Sequence, residues 1–144
     1  MNDRYLFRAK RKNWKQLQKE MWWVEGYLYG IWERRYILWG MINNVPDMVE
    51  VDPSTICQCT GLKDKNGKLI WENDIVEAWS QGRCAIGKIK HRIDGTWIMY
   101  PAWQNGEMWY LLPNDDGITT VEVIGNIFDN KELLESEDKD ENNY

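Results

Sequence analysis

Apolar and polar positions alternate through much of this 144-residue chain, with the period expected of half-buried β-strands. The clearest alternation spans residues 22–38, and the Trp-Glu-Arg-Arg segment at 32–35 can turn the chain. The sequence therefore predicts a β-hairpin here. One face of its first strand carries Val24, Gly26, Leu28 and Gly30, and the other carries Trp23, Glu25, Tyr27 and Tyr29. An earlier strand is predicted within residues 5–12.

The second half of the chain predicts short strands separated by tight turns. Asn-Gly and Asp-Gly pairs favour the positive φ values that such turns require. Their spacing of about ten residues is typical of an antiparallel barrel or sandwich. The predicted strands are Leu69–Trp71, Ile75–Trp79, Ala85–His91, Thr96–Tyr100, Met108–Leu112 and Val121–Ile127. The turn signals are Asn66-Gly67, Asn73-Asp74, Gln81-Gly82, Asp94-Gly95, Asn105-Gly106 and Asp116-Gly117.

Helical signals are few and short. Residues 13–20 favour a short helix with Asn13 as its cap, and residues 130–134 begin another before the tail. The segment 45–53 is predicted to be a connector with one short strand. Residues 52–55, Asp-Pro-Ser-Thr, suit a turn or a single helical turn that starts with proline.

The segment from Thr60 to Val76, TGLKDKNGKLIWENDIV, is dense in turn signals. Residues 64–67 predict a turn, and Glu72-Asn73-Asp74 predicts a corner at which an aspartate can accept backbone N–H groups. A phosphate-binding loop needs G-x-x-x-x-G-K-[ST] entering a helix. Here the glycine spacing is one residue too long, Lys68 precedes leucine and the context is β, so that interpretation is rejected.

Composition adds aromatic surface and an uneven charge. Ten tryptophans exceed what a small domain buries completely. The net charge is −5, yet residues 1–20 hold seven Lys or Arg against two acids, and the last ten residues hold five acids. The overall balance argues against a general nucleic-acid binder. No apolar run has transmembrane length and no secretory leader is evident, so we expect a cytoplasmic protein with reduced thiols and no membrane partner.

Candidate chemistry is sparse, and no cofactor or metal is expected. A zinc site would require the three cysteines and the single histidine to converge, but the pair spacing is one residue short of the usual structural motif. Glu72 and Asp74 form a carboxylate pair, which structural capping explains better than acid–base catalysis. The residues of the zinc hypothesis are Cys57, Cys59, Cys84 and His91.

Three segments resemble, in order, the motifs of the YopX-like family of phage and prophage proteins. They are FRAKRK with WVEGYLYGI, DPSTICQCTGLKDKNGKLIWENDIV and VIGNIFDNKELL, within residues 5–134. The sequence departs from the family pattern at Ala9, Cys57, Cys59, Asn73 and Lys131, although Asn73 can still adopt the positive φ of the glycine it replaces.

The resemblance implies a mainly β fold with an SH3-like barrel element, and it implies no reaction. We expect an N-terminal β lobe at 1–52, a barrel core at 53–134 with a short C-terminal helix, and an acidic tail at 135–144. The motif residues expected to be structural are Thr60, Gly61, Asp64, Asn66, Gly67, Glu72, Asp74, Gly125 and Asn126. The residues predicted to bind a ligand or partner are Arg8, Lys10, Arg11, Trp22, Trp23 and Trp103.

Three functions remain open. The first is a non-enzymatic phage accessory protein that binds a host or phage macromolecule, or its own copies, through an aromatic β-surface. The second is a small-molecule binder that sequesters a nucleotide signal of host defence, using stacking and positive charge. The third, a nucleic-acid-binding module, has weaker support from the charge. One histidine and no nucleophile motif argue against an enzyme.

Overall fold

Eleven antiparallel β-strands make up most of the protein across residues 5–80, 82–102 and 107–134, which the computed structural model describes. This confirms the mainly β prediction. The chain divides into two compact units, Met1–Cys59 and Thr60–Tyr144. The strands are β1 (Phe7–Lys10), β2 (Trp23–Ile31), β3 (Arg34–Ile42), β4 (Val45–Val51), β5 (Cys57–Lys63), β6 (Leu69–Trp71), β7 (Asp74–Ser80), β8 (Arg83–His91), β9 (Trp97–Ala102), β10 (Glu107–Tyr110) and β11 (Glu122–Asn126).

The first unit is a sheet in the order β4-β3-β2-β1, and the start of β5 pairs with β1. The predicted hairpin is confirmed as β2 and β3, with Tyr29 directly opposite Tyr36. Because facing residues share a side of the sheet, the register separates two faces. The inner face buries a small core of Ala9, Val24, Ile37 and Val51.

Segment 45–53 forms more regular structure than predicted. Strand β4 has seven residues and pairs along β3 from Val51 to Val45. After it, Pro53–Thr55 form the predicted single helical turn, and Asp52 caps it by accepting the Ser54 N–H. The observed turn has the predicted proline at its first position and the length of a single helical turn.

The helix predicted at residues 13–20 does not form. Two 3-10 turns, Trp14–Gln16 and Lys19–Met21, occupy the segment, and Asn13 makes no side-chain cap bond. Leu17 is extended, with φ −112° and ψ 160°, and this interrupts any continuous helix. A segment this short gains little from helix propensity alone, so tertiary contacts decide its conformation.

The second unit contains a five-stranded sheet in the order β10-β9-β8-β7-β11; β6 and the end of β5 also belong to this unit, and these two strands pair with each other outside the five-stranded sheet. Its core is apolar, and its centre includes Ile89 and Met99, which are opposite each other on β8 and β9. Within the described residues β10 and β11 do not pair. In place of the predicted barrel element, the described residues therefore form an open five-stranded sheet, and the barrel does not close.

The predicted turns lie at the strand ends. Gly67, Gly95 and Gly117 have φ of 85°, 91° and 79°, the left-handed region that glycine adopts without strain. Asn73 takes the corresponding role at the corner before β7, with φ 70°. The Asn105-Gly106 signal lies outside the described residues.

Strand β5 was not among the predicted strands, although the turn predicted at residues 64–67 follows it directly. Residues 132–134 are helical, in agreement with the helix predicted to begin at Asn130. No helix in the described ranges is long and apolar enough to cross a membrane. The acidic tail lies outside those ranges.

Candidate functional site

A lysine surrounded by tryptophans is the most unusual feature of the first unit. The Lys10 side chain is only 2% exposed, and its Nζ lies 3.8 Å from the Trp14 ring centroid. The same Nζ lies 4.4 Å from Trp22 and 5.5 Å from Trp23. An ammonium over an indole face is attracted by the negative face of the ring. We call Lys10 and these three rings the lysine cage.

The two 3-10 turns place the cage rings. Trp14 begins the first turn and Trp22 follows the second, and their rings meet edge to face at 5.0 Å and 71°. Both indole N–H groups have acceptors: Trp14 donates to Asp52 at 3.3 Å and Trp22 donates to the Leu17 carbonyl at 3.0 Å. These bonds hold the rings in the orientations that face Lys10.

The backbone of Lys10 is held as firmly as its side chain. Its N–H donates to the Thr55 hydroxyl at 2.8 Å, and its carbonyl accepts the Asp52 N–H at 2.8 Å. The end of β1, the cage and the turn after β4 therefore form one connected structure. A ligand that reached the Lys10 ammonium would first have to displace an indole ring.

The charge of the Asp52 carboxylate links the stability of this structure to pH. Partial burial raises the pKa of its carboxyl group, but the Ser54 hydroxyl and N–H, the Trp14 indole and the charge of Lys15 outweigh that effect. The pKa of Asp52 is therefore below its ordinary value. The carboxylate form is the one that caps the turn and accepts from Trp14.

The two arginines predicted for the site lie beside the cage. Arg8 lies on the same side of β1 as Lys10, and its guanidinium carbon lies 4.9 Å from the Trp23 centroid. Arg11 donates to the Met21 carbonyl and so fastens the second 3-10 turn. The structure thus brings together five of the six predicted binding residues. The sixth, Trp103, lies outside the described residues, and the binding role of the set stays a prediction.

Further along the same side of the sheet, tyrosine and aliphatic side chains lie next to one another in rows across β2, β3 and β4. The register places Tyr27 beside Leu38 and Met48 in one row, and Tyr29 beside Tyr36 in the next. Ile31 extends these rows towards the hairpin end, opposite Arg34. We call the six residues Tyr27, Tyr29, Ile31, Tyr36, Leu38 and Met48 the outer face.

The outer face was missed as a site although its signal is in the sequence. Tyr27, Tyr29, Ile31 and Met48 are each exposed by more than two fifths. The alternation from Trp23 onward placed the tyrosines opposite Val24, but the length of β4 and its position beside β3 were needed to show a continuous surface. At its border, Tyr36 and Glu50 raise the pKa of the Arg34 guanidinium.

The family motif in the second unit is structural. Buried Asp64 accepts from the N–H groups of Asn66 and Lys68, both at 2.9 Å, and from Val123 at 3.1 Å. It thereby connects a turn to strand β11. Gly61 has a φ of 79° beside Thr60, whose buried hydroxyl donates to the Ile70 carbonyl at 2.7 Å.

The closing motif, VIGNIFDNKELL, is also structural and is held by a close contact and side-chain hydrogen bonds. A Cβ at Gly125 would lie 2.6 Å from the Asn130 side-chain oxygen, so the close approach requires glycine. That oxygen accepts the Asn126 N–H at 3.2 Å, while the Asn126 side chain accepts from Phe128 and Asp129. The VIGN motif thus turns the chain after β11.

The weaker chemical candidates have structural partners. Asp74 is buried and accepts the Trp71 N–H at 2.8 Å, whereas its proposed catalytic partner Glu72 is half-buried. Cys57 donates to the Thr55 carbonyl at 3.3 Å, and the cysteines are thiols rather than disulfides. His91 is exposed and stacks on Trp97 at 4.2 Å.

Within the described part of the chain, no three His, Cys, Asp or Glu side chains cluster in a way that could hold a metal ion. The residues Cys57, Cys59, Cys84 and His91 therefore do not assemble there as the four zinc ligands that the sequence allowed. Cys57 and Cys59 contribute to packing, since both are fully buried.

These features define a mainly β protein built from two antiparallel units, with a caged lysine and an exposed aromatic face. The family described as YopX protein matches residues 6–135, and the chain belongs to that family. No curated protein matches the sequence. Family membership agrees with the resemblance of the three motifs, and the structural roles of Asp64, Gly125 and Asn126 explain why those motifs have their composition.

Proposed function

We propose that this protein is a non-enzymatic accessory protein of a phage or prophage, that it acts in the cytoplasm of the infected bacterium, and that it binds a protein of the host or the phage. The observation that carries the proposal is the outer face. Contiguous exposed apolar rows on one side of a sheet are a feature of protein interaction sites. Tyrosine and methionine are enriched in such sites.

The composition of the outer face suits reversible binding. Tyr27 and Tyr29 supply large rigid contact areas at a small cost in side-chain entropy, and each carries a hydroxyl group at its edge. Met48 adapts its shape to a partner. Charged residues lie at the border of the surface, where Arg34 contacts Tyr36 and Glu50 is bound by Lys12 at 3.1 Å. An apolar centre with a charged border is the usual anatomy of an interface.

The lysine cage supports the proposal by making this surface rigid. It fixes the end of β1 and the start of β2, which leads directly into the two exposed tyrosines. A surface held in one conformation loses less entropy when it binds. Trp22 and Trp23 therefore help to hold the strand that carries the outer face in place, and Arg8, which lies beside Trp23, adds a positive charge to the border.

The test is affinity purification from infected cells with matched variants. We expect Tyr29→Ser to remove the partner that wild-type protein retains, while Tyr100→Ser retains it. Tyr100 is the control because it is a similarly exposed tyrosine on a strand of the other unit. The thermal unfolding of both variants is measured to show that each still folds. Loss of the partner in both variants, or in neither, contradicts the proposal.

A further inference from the structure

A cleft in the second unit lies where its sheet fails to close. It has a volume of about 210 Å³ and is lined by β7 and β10 and by the residues that precede β11. Strands β10 and β11 are the two ends of the five-stranded sheet, so the cleft occupies the open seam between them. We call it the seam cleft. Its lining residues are Ala78, Trp79, Met99, Trp109, Leu111 and Val121, together with Tyr110 and Thr120.

The walls of the seam cleft are aromatic and its floor is apolar. Trp79 is 61% exposed, whereas Met99 and Leu111 belong to the buried core. Sites for drug-sized ligands have volumes of about 300–1,000 Å³. The seam cleft is smaller, so it suits a single side chain better than a complete cofactor.

The charge beside Trp79 is negative. Its indole N–H donates to the Glu77 carboxylate at 3.1 Å, and Glu77 lies directly opposite Glu122 on β11. Like charges facing each other across two strands are destabilising. Lys65 approaches Glu122 only to 3.8 Å, with both side chains partly exposed. An added cation near Glu77 would therefore be attracted by the Glu77 carboxylate and relieve its repulsion with Glu122.

The opposite wall of the cleft is electrically balanced. Arg92 stacks over Tyr110, with its guanidinium carbon 5.5 Å from the ring centroid, and donates to the Tyr110 hydroxyl. Asp94 lies 3.5 Å from Arg92 and offsets its charge. The negative charge beside the cleft is consequently that of Glu77, which contacts the lining residue Trp79, since Lys65 offsets Glu122 and neither glutamate lines the cleft itself. The contact of Arg92 with Tyr110 also shows that this unit accommodates a guanidinium against an aromatic ring.

We propose that the seam cleft binds an arginine side chain presented by an extended segment of a partner protein. The planar guanidinium stacks on the exposed face of Trp79 and donates hydrogen bonds to Glu77. Arginine fits better than lysine because its flat, weakly hydrated group both stacks and donates in one plane. This site is in a different unit from the outer face and does not depend on the function proposed for it.

The test uses three acetylated peptides of glycine and serine that carry one central arginine, citrulline or lysine. Binding is followed by NMR through the indole N–H signals of the intact protein, assigned with tryptophan variants. The arginine peptide is expected to shift the signals of Trp79 and Trp109 saturably. Citrulline has nearly the same shape without the charge, and its peptide is expected to give no saturable shift.

Variants separate this site from unspecific attraction. Trp79→Ala and Glu77→Gln are each expected to weaken arginine binding roughly five- to tenfold through the lost stacking and charge. Trp32→Ala is the control, because Trp32 is 90% exposed in the other unit. It is expected to leave the affinity unchanged. The core methyl signals of each variant show that the fold is retained.

Two results would overturn the proposal. Equal binding of the citrulline peptide, or unchanged affinity in Trp79→Ala, would remove the arginine site. Shifts of the Trp79 signal that depend on protein concentration without peptide, and that vanish in Glu77→Gln, would place a second copy of this chain in the cleft instead of a partner segment. Neither result affects the outer-face experiment, whose variants lie elsewhere.

Discussion

The ammonium nitrogen of Lys10 lies 3.8 Å from the ring centre of Trp14, in a site where the lysine is almost completely buried. Burying a charged group is costly, and the cost is offset here by three indole faces. The contact joins β1 to the first 3-10 turn. It is therefore part of what holds the first unit together, and it is open to a direct test.

Replacing Lys10 by methionine keeps the long apolar stem and removes the charge. We expect the free energy of unfolding to fall by about 1–2 kcal/mol, the value of a desolvated cation–aromatic contact. The measurement is urea unfolding followed by tryptophan fluorescence. Lys65→Met is the control, since Lys65 forms only a partly exposed ion pair and its loss should cost less than about 1 kcal/mol. A methionine variant as stable as the wild type would show that the charge does not stabilise the cage.

Asp64 should be the most sensitive carboxylate of the family motif. Its side chain is buried and accepts three backbone N–H groups. In Asp64→Asn the charge is lost and an amide NH₂ faces at least one of these donors, so we expect a loss of about 2–4 kcal/mol. Chemical denaturation measures it.

The control for this experiment is Asp94→Asn. Asp94 accepts from Thr96 in a similar turn, but the turn is exposed to solvent. Water replaces its lost bonds, so the stability should change little. Equal effects at the two positions would contradict the structural role assigned to Asp64.

Glycine is required at Gly26 but not at Gly40, although both lie in the hairpin sheet. A Cβ at Gly26 would lie 2.1 Å from the Leu38 carbonyl oxygen, whereas a Cβ at Gly40 would meet nothing within 4 Å. We expect Gly26→Ala to destabilise by about 2–3 kcal/mol because the backbones must separate. Gly40→Ala is expected to be neutral or slightly stabilising. Thermal unfolding of the two variants tests this, and similar melting temperatures would contradict the close approach.

The lowered pKa of Asp52 predicts a loss of stability in acid. A carboxyl group whose pKa is lower in the folded than in the unfolded state stabilises the fold above the unfolded value, near 4. That contribution is lost as pH falls below the unfolded value and through the lower folded one. The wild type should therefore exceed Asp52→Asn in stability at pH 7.

The same comparison at low pH completes the test. The difference in the free energy of unfolding between wild type and Asp52→Asn should be smaller at the lowest pH at which both proteins still fold than at pH 7, because the carboxyl group takes up a proton as pH falls. Urea unfolding at the two pH values measures it. A difference that stays constant with pH would mean that the hydrogen bonds of Asp52 do not depend on its charge.

Much of the fold follows from local sequence patterns. The alternation around Val24 and Tyr27 predicted the hairpin and its two faces, and Gly67 marked a turn that the structure contains. Local signals sufficed because strand alternation and positive φ are properties of a few neighbouring residues. The helix predicted after Asn13 was wrong, since the conformation of that short segment depends on where Trp14 and Trp22 pack.

The residues of the candidate site could likewise be predicted from the sequence, whereas their burial could not. Arg8 and Lys10 were predicted from their family motif and Trp22 and Trp23 as aromatic rings to accompany them, and the structure places all four together. Their pattern did not show that Lys10 is buried. Its burial requires Trp14, which had been assigned to a helix, and the bonds of its backbone to residues more than forty positions away.

The sequence by itself determined the mainly β class, the separation of inner and outer strand faces, and the turn positions of the family motif. The tertiary structure decided that Lys10 is enclosed, that Tyr27 and Met48 share one surface, and that Trp79 borders an open seam. The physical reason is the distance along the chain between the residues that interact. Backbone conformation and strand alternation are set by neighbours along the chain, whereas burial of a charge and continuity of a surface depend on which distant strands pair.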